Sequence, residues 1–198
     1  AVSPDLGSLP VDRAIRSGFD ELTARLARAG LEAETASPDV SGAQPVIDVL
    51  RGLSYAASWG ALWPARRADF TAEVGGDVAR GLALTGAAIS AAMAARAAIY
   101  REVIAFFARY DVLICPVTQV PPFPVEIPWP TEIAGVACPT YVHWIAITYI
   151  WSVVGCPALA VSLGRDAAGL PLAVQVVGPP HSERRLLAVG AWLESAVG

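Results

Sequence analysis

Between Glu132 and Arg165 the sequence carries no Asp, Glu, Lys or Arg. A stretch of that length without charge has to be covered, either by lipid or by the rest of a fold. Pro139, Gly155 and Pro157 interrupt it, and the remainder holds Tyr141, His143, Thr148 and Ser152. That leaves a run at the lower edge of the roughly 17–25 residues a spanning helix needs. Burial inside a folded chain is therefore the expectation, not a membrane. Hydrophobic residues make up 55% of the chain and charged ones 16%, which excludes disorder and predicts elements covered on more than one side. One domain accommodates 198 residues, and the apolar excess reads as a piece of something larger.

The pattern around that stretch is α/β. Ala1 to Ser3 read as the end of a strand, followed by a turn at Pro4-Asp5-Leu6-Gly7. Asp12 is a helix N-cap, Ile15, Phe19, Leu22, Leu26 and Ala29 recur at steps of four and three, and Gly30 stands where the helix ends. Segments 45–62 and 66–82 read as helices divided by Pro64. Thr85 caps a long helix reaching Arg109, with Ile89, Met93, Ile99, Val103, Phe106 and Phe107 expected along one side. Val112-Leu113-Ile114-Cys115, closed by Pro116, is an apolar run expected of a central strand. Five prolines from Pro121 to Pro130 imply a long ordered loop. Thr140 is read as the cap of a helix over 141–154, followed by strands over 158–163 and 170–177 and a last helix over 182–196. The strands joined by Gly164 to Gly169 complete a mixed or parallel sheet flanked by helices.

The residue inventory excludes several chemistries. A net charge of -4, with its 14 basic residues scattered, offers no field for nucleic acid. Every one of those basic residues is arginine; the chain has no lysine, so a G-x-x-x-x-G-K phosphate loop cannot form. Two histidines and three cysteines without C-x-x-C spacing do not make a zinc site, and no metal or cofactor is expected. An odd cysteine count argues against a disulfide framework and points to a reducing cytoplasm. There is no G-x-S-x-G elbow; His143 lies on an apolar helix and His181 follows two prolines, so a Ser-His-Asp triad is unsupported. Glu126 and Glu132 read as solvated loop charges, and Cys115 and Cys156 as inert buried thiols.

Gly155-Cys156-Pro157-Ala158-Leu159-Ala160-Val161 and Gly169-Leu170-Pro171-Leu172-Ala173-Val174-Gln175-Val176-Val177-Gly178 resemble the C-terminal hallmark of amidase-signature enzymes. Tyr110 to Thr118 is similar to that family's strand ending in proline and threonine, and Ser3 to Val11 to the strand and turn after its catalytic region. The departures are Ser152, Ser162 and Ala173, where the family usually has asparagine, proline and glycine. The resemblance implies that residues 1–198 are the C-terminal portion of a single amidase-signature domain of α/β/α fold. It implies hydrolysis of a carboxylic amide by a lysine, a cis serine and a nucleophilic serine in a Gly-Ser-rich tract. Neither that tract nor a lysine occurs here, so no catalytic residue carries over and the chain alone is expected to be inactive.

What carries over is part of an acyl pocket, lined in the family by the helix before the Gly-x-Pro-Ala turn and by the loop after the proline-threonine strand. The substrate-binding candidates are Thr118, Tyr141, Trp144, Ile145 and Tyr149. Relatives that use glutamine place an acidic residue on this helix, where Trp144 and Ile145 stand, which favours an aryl or aliphatic amide. The expected partners are the N-terminal portion of the same amidase and a small-molecule amide, with self-association into a homodimer through the exposed apolar face if that portion is absent. The alternative is a non-catalytic binding or interaction chain that retains the fold remnant.

Overall fold

The Asp12 carboxylate accepts a hydrogen bond from the Ala14 amide at 2.7 Å and starts the first helix, as a capping side chain should. The computed structural model describes residues 1–165 and 169–197. In chain order its elements are α1 (Arg13–Arg28), α2 (Ala43–Trp59), α3 (Trp63–Arg66), α4 (Ala72–Leu82), α5 (Gly86–Phe107), β1 (Leu113–Pro116), β2 (Glu132–Ile133), β3 (Val136–Ala137), α6 (Ala146–Val154), β4 (Ala158–Arg165), β5 (Pro171–Val177) and α7 (Glu183–Val197). They fall into two compact units, Ala1–Val40 with Arg101–Gly198, and Ser41–Tyr100.

In the first unit β5 lies between β1 and β4, antiparallel to both. Val2 adds parallel bridges to Ile114 of β1 and to Thr35, so the sheet is mixed and β1 is flanked on both sides. Alternation along the strands divides the two faces. Val174 and Val176 of β5, Ile114 of β1 and Val161 and Leu163 of β4 join Phe19, Leu22 and Leu26 of α1 and Leu186 and Leu193 of α7 in one buried cluster. The alternate residues Cys115 and Gln175, paired across the ladder, are buried as well. The Gln175 side chain reaches the Ile147 carbonyl of α6 at 2.8 Å, which places α6 on their side of the sheet. Gly190 lets α7 approach β4 closely, since a Cβ there would stand 2.5 Å from Leu159.

The structure revises several boundaries. The helix expected over 141–154 begins as a 3-10 turn, Tyr141–Ile145, and becomes α-helical only at Ala146. Thr140 precedes that turn without capping it; its hydroxyl meets His143 Nδ1 at 2.8 Å instead. Pro64 does not divide two helices but sits in the first turn of α3, where its missing N–H costs nothing. Met93 of α5 is 43% exposed, and the buried residues of that helix are Ala92, Ile99, Val103 and Phe106. The β2–β3 hairpin within the loop region turns through Ala134 and Gly135, both at positive φ, the geometry of a tight two-residue turn. Asp166 to Ala168 of the joining loop lie outside the described residues.

In the second unit α2 and α4 cross at paired glycines, Gly52 and Gly81, where the backbones touch. Beside the crossing, buried Asp77 of α4 takes Arg51 of α2 at 2.7 Å and Arg80 of its own helix. The Phe70 ring is met edge-on by Trp59 and Trp63. Thr71 caps α4 and Thr85 caps α5, accepting from Val74 and Ala88 amides respectively.

Among the described residues no single helix is long and apolar enough to cross a membrane. Within the charge-free stretch it is α6 that is folded inward: Ile147, Ile150 and Trp151 are each 1% exposed or less, whereas Val136 of β3 and Tyr141 reach the surface.

Candidate functional site

Pro116 ends β1, and the chain leaving it forms one wall of a cavity of about 470 Å³ in the first unit. Thr118, Val120 and Phe123 come from that loop, Trp144 from the 3-10 turn, Ile15, Gly18, Phe19 and Leu22 from α1, and Pro171 to Ala173 from β5. Such a size and apolar lining suit a small organic group. Phe123 and Tyr141 both stand edge-on to Trp144, at 5.3 and 5.8 Å between ring centroids, and hold its ring.

Of the residues expected to bind substrate, Thr118 and Trp144 line this cavity together. Tyr141 stands behind Trp144, 37% exposed. Ile145 ends the 3-10 turn and Tyr149 is buried on α6; neither is among the lining residues. The Thr118 hydroxyl donates to the Val120 carbonyl at 2.9 Å, so toward a ligand it offers lone pairs rather than its proton. The α1 wall was not foreseen as part of a site. Its one sequence signal was Gly18, a small residue on the buried face of an otherwise bulky apolar stripe, and a Cβ there would come within 2.7 Å of Leu172.

Nucleophilic and metal chemistry find little to work with among the described residues. Burial pushes the Cys115 thiol far up. Burial raises Cys156 to about 11, and Cys138 is raised by burial and by Glu132. These are thiols, not thiolates, at neutral pH. His143 pairs with Thr140, and His181 is exposed at positive φ. No group of three His, Cys, Asp or Glu converges to hold a metal ion among the described residues.

The family model described as Amidase matches residues 1–187. The chain belongs to the amidase family. A crystal structure of an amidase superposes on the whole of it with a TM-score of 0.89 at 26% identity, and this amidase chain covers 45% of that structure's chain. A Synechocystis sp. protein named "Putative amidase" is 33% identical over 96 residues, 48% of this chain and 19% of that protein. A Mycobacterium bovis protein named "Putative amidase AmiA2" is 33% identical over 124 residues, 60% of this chain and 24% of that protein. The amidase chain thus spans less than half the length of the relatives it matches. The α/β fold expected from the resemblance is the fold these relatives share with it.

Proposed function

We propose that residues 1–198 are the C-terminal portion of a single amidase-signature domain that hydrolyses the C–N bond of a carboxylic amide. The reading is carried by one observation: in a chain matched by the amidase family over residues 1–187, Thr118 and Trp144, separated in sequence, converge on one apolar cavity. The chain has no lysine, so in this reading the serine, cis serine and lysine of the family's mechanism come from another portion of the protein. The present portion binds and orients. Trp144, Phe123 and the α1 face take the apolar part of the amide out of water, and the Thr118 oxygen accepts from the amide nitrogen. Held in this way, the carbonyl carbon is presented to a nucleophile outside this chain, and excluding water strengthens the dipoles acting on it.

Residues 141–154 include no Asp or Glu to meet the ammonium of free glutamine. That favours an aryl or aliphatic amide as substrate. The test is ammonia release from 2-phenylacetamide by the protein with all its portions, beside the isolated 198-residue chain. Hydrolysis by the former alone, with no fluorophosphonate labelling of the latter, is expected. Labelling of the isolated chain would overturn the placement of the nucleophile, and an inert whole protein that still binds the amide would favour a non-catalytic binding chain.

A further inference from the structure

Two buried glutamines grip the same residue of α6 from different directions. Helix α6 starts after Ile145, whose side chain has no acceptor, so the first amides of the helix lack the usual capping partner. Gln119, in the loop after β1 and 0% exposed, supplies it: its Oε1 accepts from the Ile147 amide at 3.1 Å. Its Nε2 donates to the Pro10 carbonyl at 2.9 Å, and its own carbonyl accepts from the Asp12 amide. Gln175, on β5 and 4% exposed, donates to the Ile147 carbonyl at 2.8 Å and to the Pro116 carbonyl at 3.0 Å. A third tie lies at the surface, where the Thr148 hydroxyl donates to the Val117 carbonyl at 3.1 Å.

These ties join the segments that carry the cavity's walls. Thr118 is the neighbour of Gln119, Pro116 and Val117 line the cavity themselves, Trp144 lies three residues before Ile147, and α1 begins just after Asp12. None of the three tying side chains lines the cavity. We propose that Gln119, seconded by Gln175 and Thr148, is a positioning residue that fixes the gap between Trp144 and the Thr118 loop, and so sets the preference for amides with a bulky apolar group over small ones. The amide group is the chemistry the place requires. It offers an acceptor and a donor without charge, whereas methionine of similar shape offers neither hydrogen bond.

This inference rests on the proposed amidase reading, and the experiment separates the two. The whole protein, wild type and with Gln119→Met or Thr148→Val, is assayed on acetamide and on 2-phenylacetamide, and 2-phenylacetamide binding is followed separately by tryptophan quenching. Expected for Gln119→Met is a roughly tenfold fall in the kcat/KM ratio of phenylacetamide to acetamide, seen in KM, with acetamide turnover within about twofold and a matching rise in the quenching Kd. Thr148→Val, an exposed change that leaves the buried ties intact, should lower the ratio about threefold, and it decides the matter if the buried variant fails to fold. Equal losses on both amides, or an unchanged ratio in Thr148→Val, would overturn the positioning role. Quenching in a wild type that hydrolyses neither amide would overturn the amidase reading alone, leaving the Kd comparison to decide this one. A wild type that does not bind phenylacetamide and hydrolyses neither amide overturns both, and one that turns over acetamide alone overturns only the positioning role.

Discussion

Gly52 and Gly81 meet backbone to backbone where α2 crosses α4: a Cβ built on Gly81 lands on the Gly52 carbonyl oxygen. Neither partner can rotate away, because both are main chain. Gly81→Ala should therefore destabilise the second unit, because overpacking against main chain costs about 1–3 kcal/mol and the gain of roughly 1 kcal/mol that alanine brings to a helix interior offsets only part of it. Gly76, on the same helix with only the end of Arg80 near it, is the control. There Gly76→Ala should be neutral or stabilising by up to about 1 kcal/mol. Thermal unfolding of the pair reads the difference; a Gly81→Ala protein as stable as Gly76→Ala would refute the crossing.

The Asp12 cap gives a second expectation. Replacing it by alanine removes the acceptor for the Ala14 amide and should cost about 1 kcal/mol, while Asp12→Asn keeps an acceptor and should cost little. Denaturant midpoints at constant slope would show it. Equal midpoints for the alanine and asparagine variants would mean that the carboxylate does not cap the helix.

The Cys156 thiol sets a pH window. Its folded pKa of about 11 lies above the ordinary thiol value of 9.0 because burial disfavours the thiolate. A folded state that favours the neutral form is fully supported below pH 9 and loses that support as the pH rises toward 11. Thiol titration with a disulfide reagent should accordingly be slow at about pH 8 in the folded protein and fast after denaturation. Stability should fall from about pH 9 upward, and a Cys156→Ser variant should show a smaller fall. Rapid modification of folded Cys156 below its titration range would contradict its burial.

The elements legible in the sequence were those with a periodic apolar face and a local stop. Helix α1 was readable because Phe19, Leu22 and Leu26 recur on one side between Asp12 and Gly30. Strands β4 and β5 were readable from apolar runs between turn residues. The β2–β3 hairpin was not, since two-residue strands carry no pattern and Ala134 stands at positive φ where asparagine or glycine is usual. Nor was the change from 3-10 to α-helix at Ala146: the apolar run continues through it, and the amide of Ile147 is met by Gln119 from 28 residues away in sequence. In the same way Thr118 and Trp144 could be nominated for the cavity from their segments, whereas α1 becomes a wall only through tertiary packing against Leu172.

Gly18 offers a way to shrink that cavity without harming the fold. A methyl there meets the end of the Leu172 side chain, a flexible neighbour that can turn aside into the open space it lines. The helix gains up to about 1 kcal/mol from exchanging glycine for alanine, offsetting the displacement of Leu172. Gly18→Ala should therefore leave the melting temperature within a few degrees of wild type while weakening binding of amides with a large apolar group. In the whole protein, KM for 2-phenylacetamide should rise several-fold with kcat near wild type, the signature of lost uniform binding, and acetamide should be unaffected. A melting temperature that holds together with an unchanged KM for phenylacetamide would show that the apolar group of the substrate does not enter between α1 and β5.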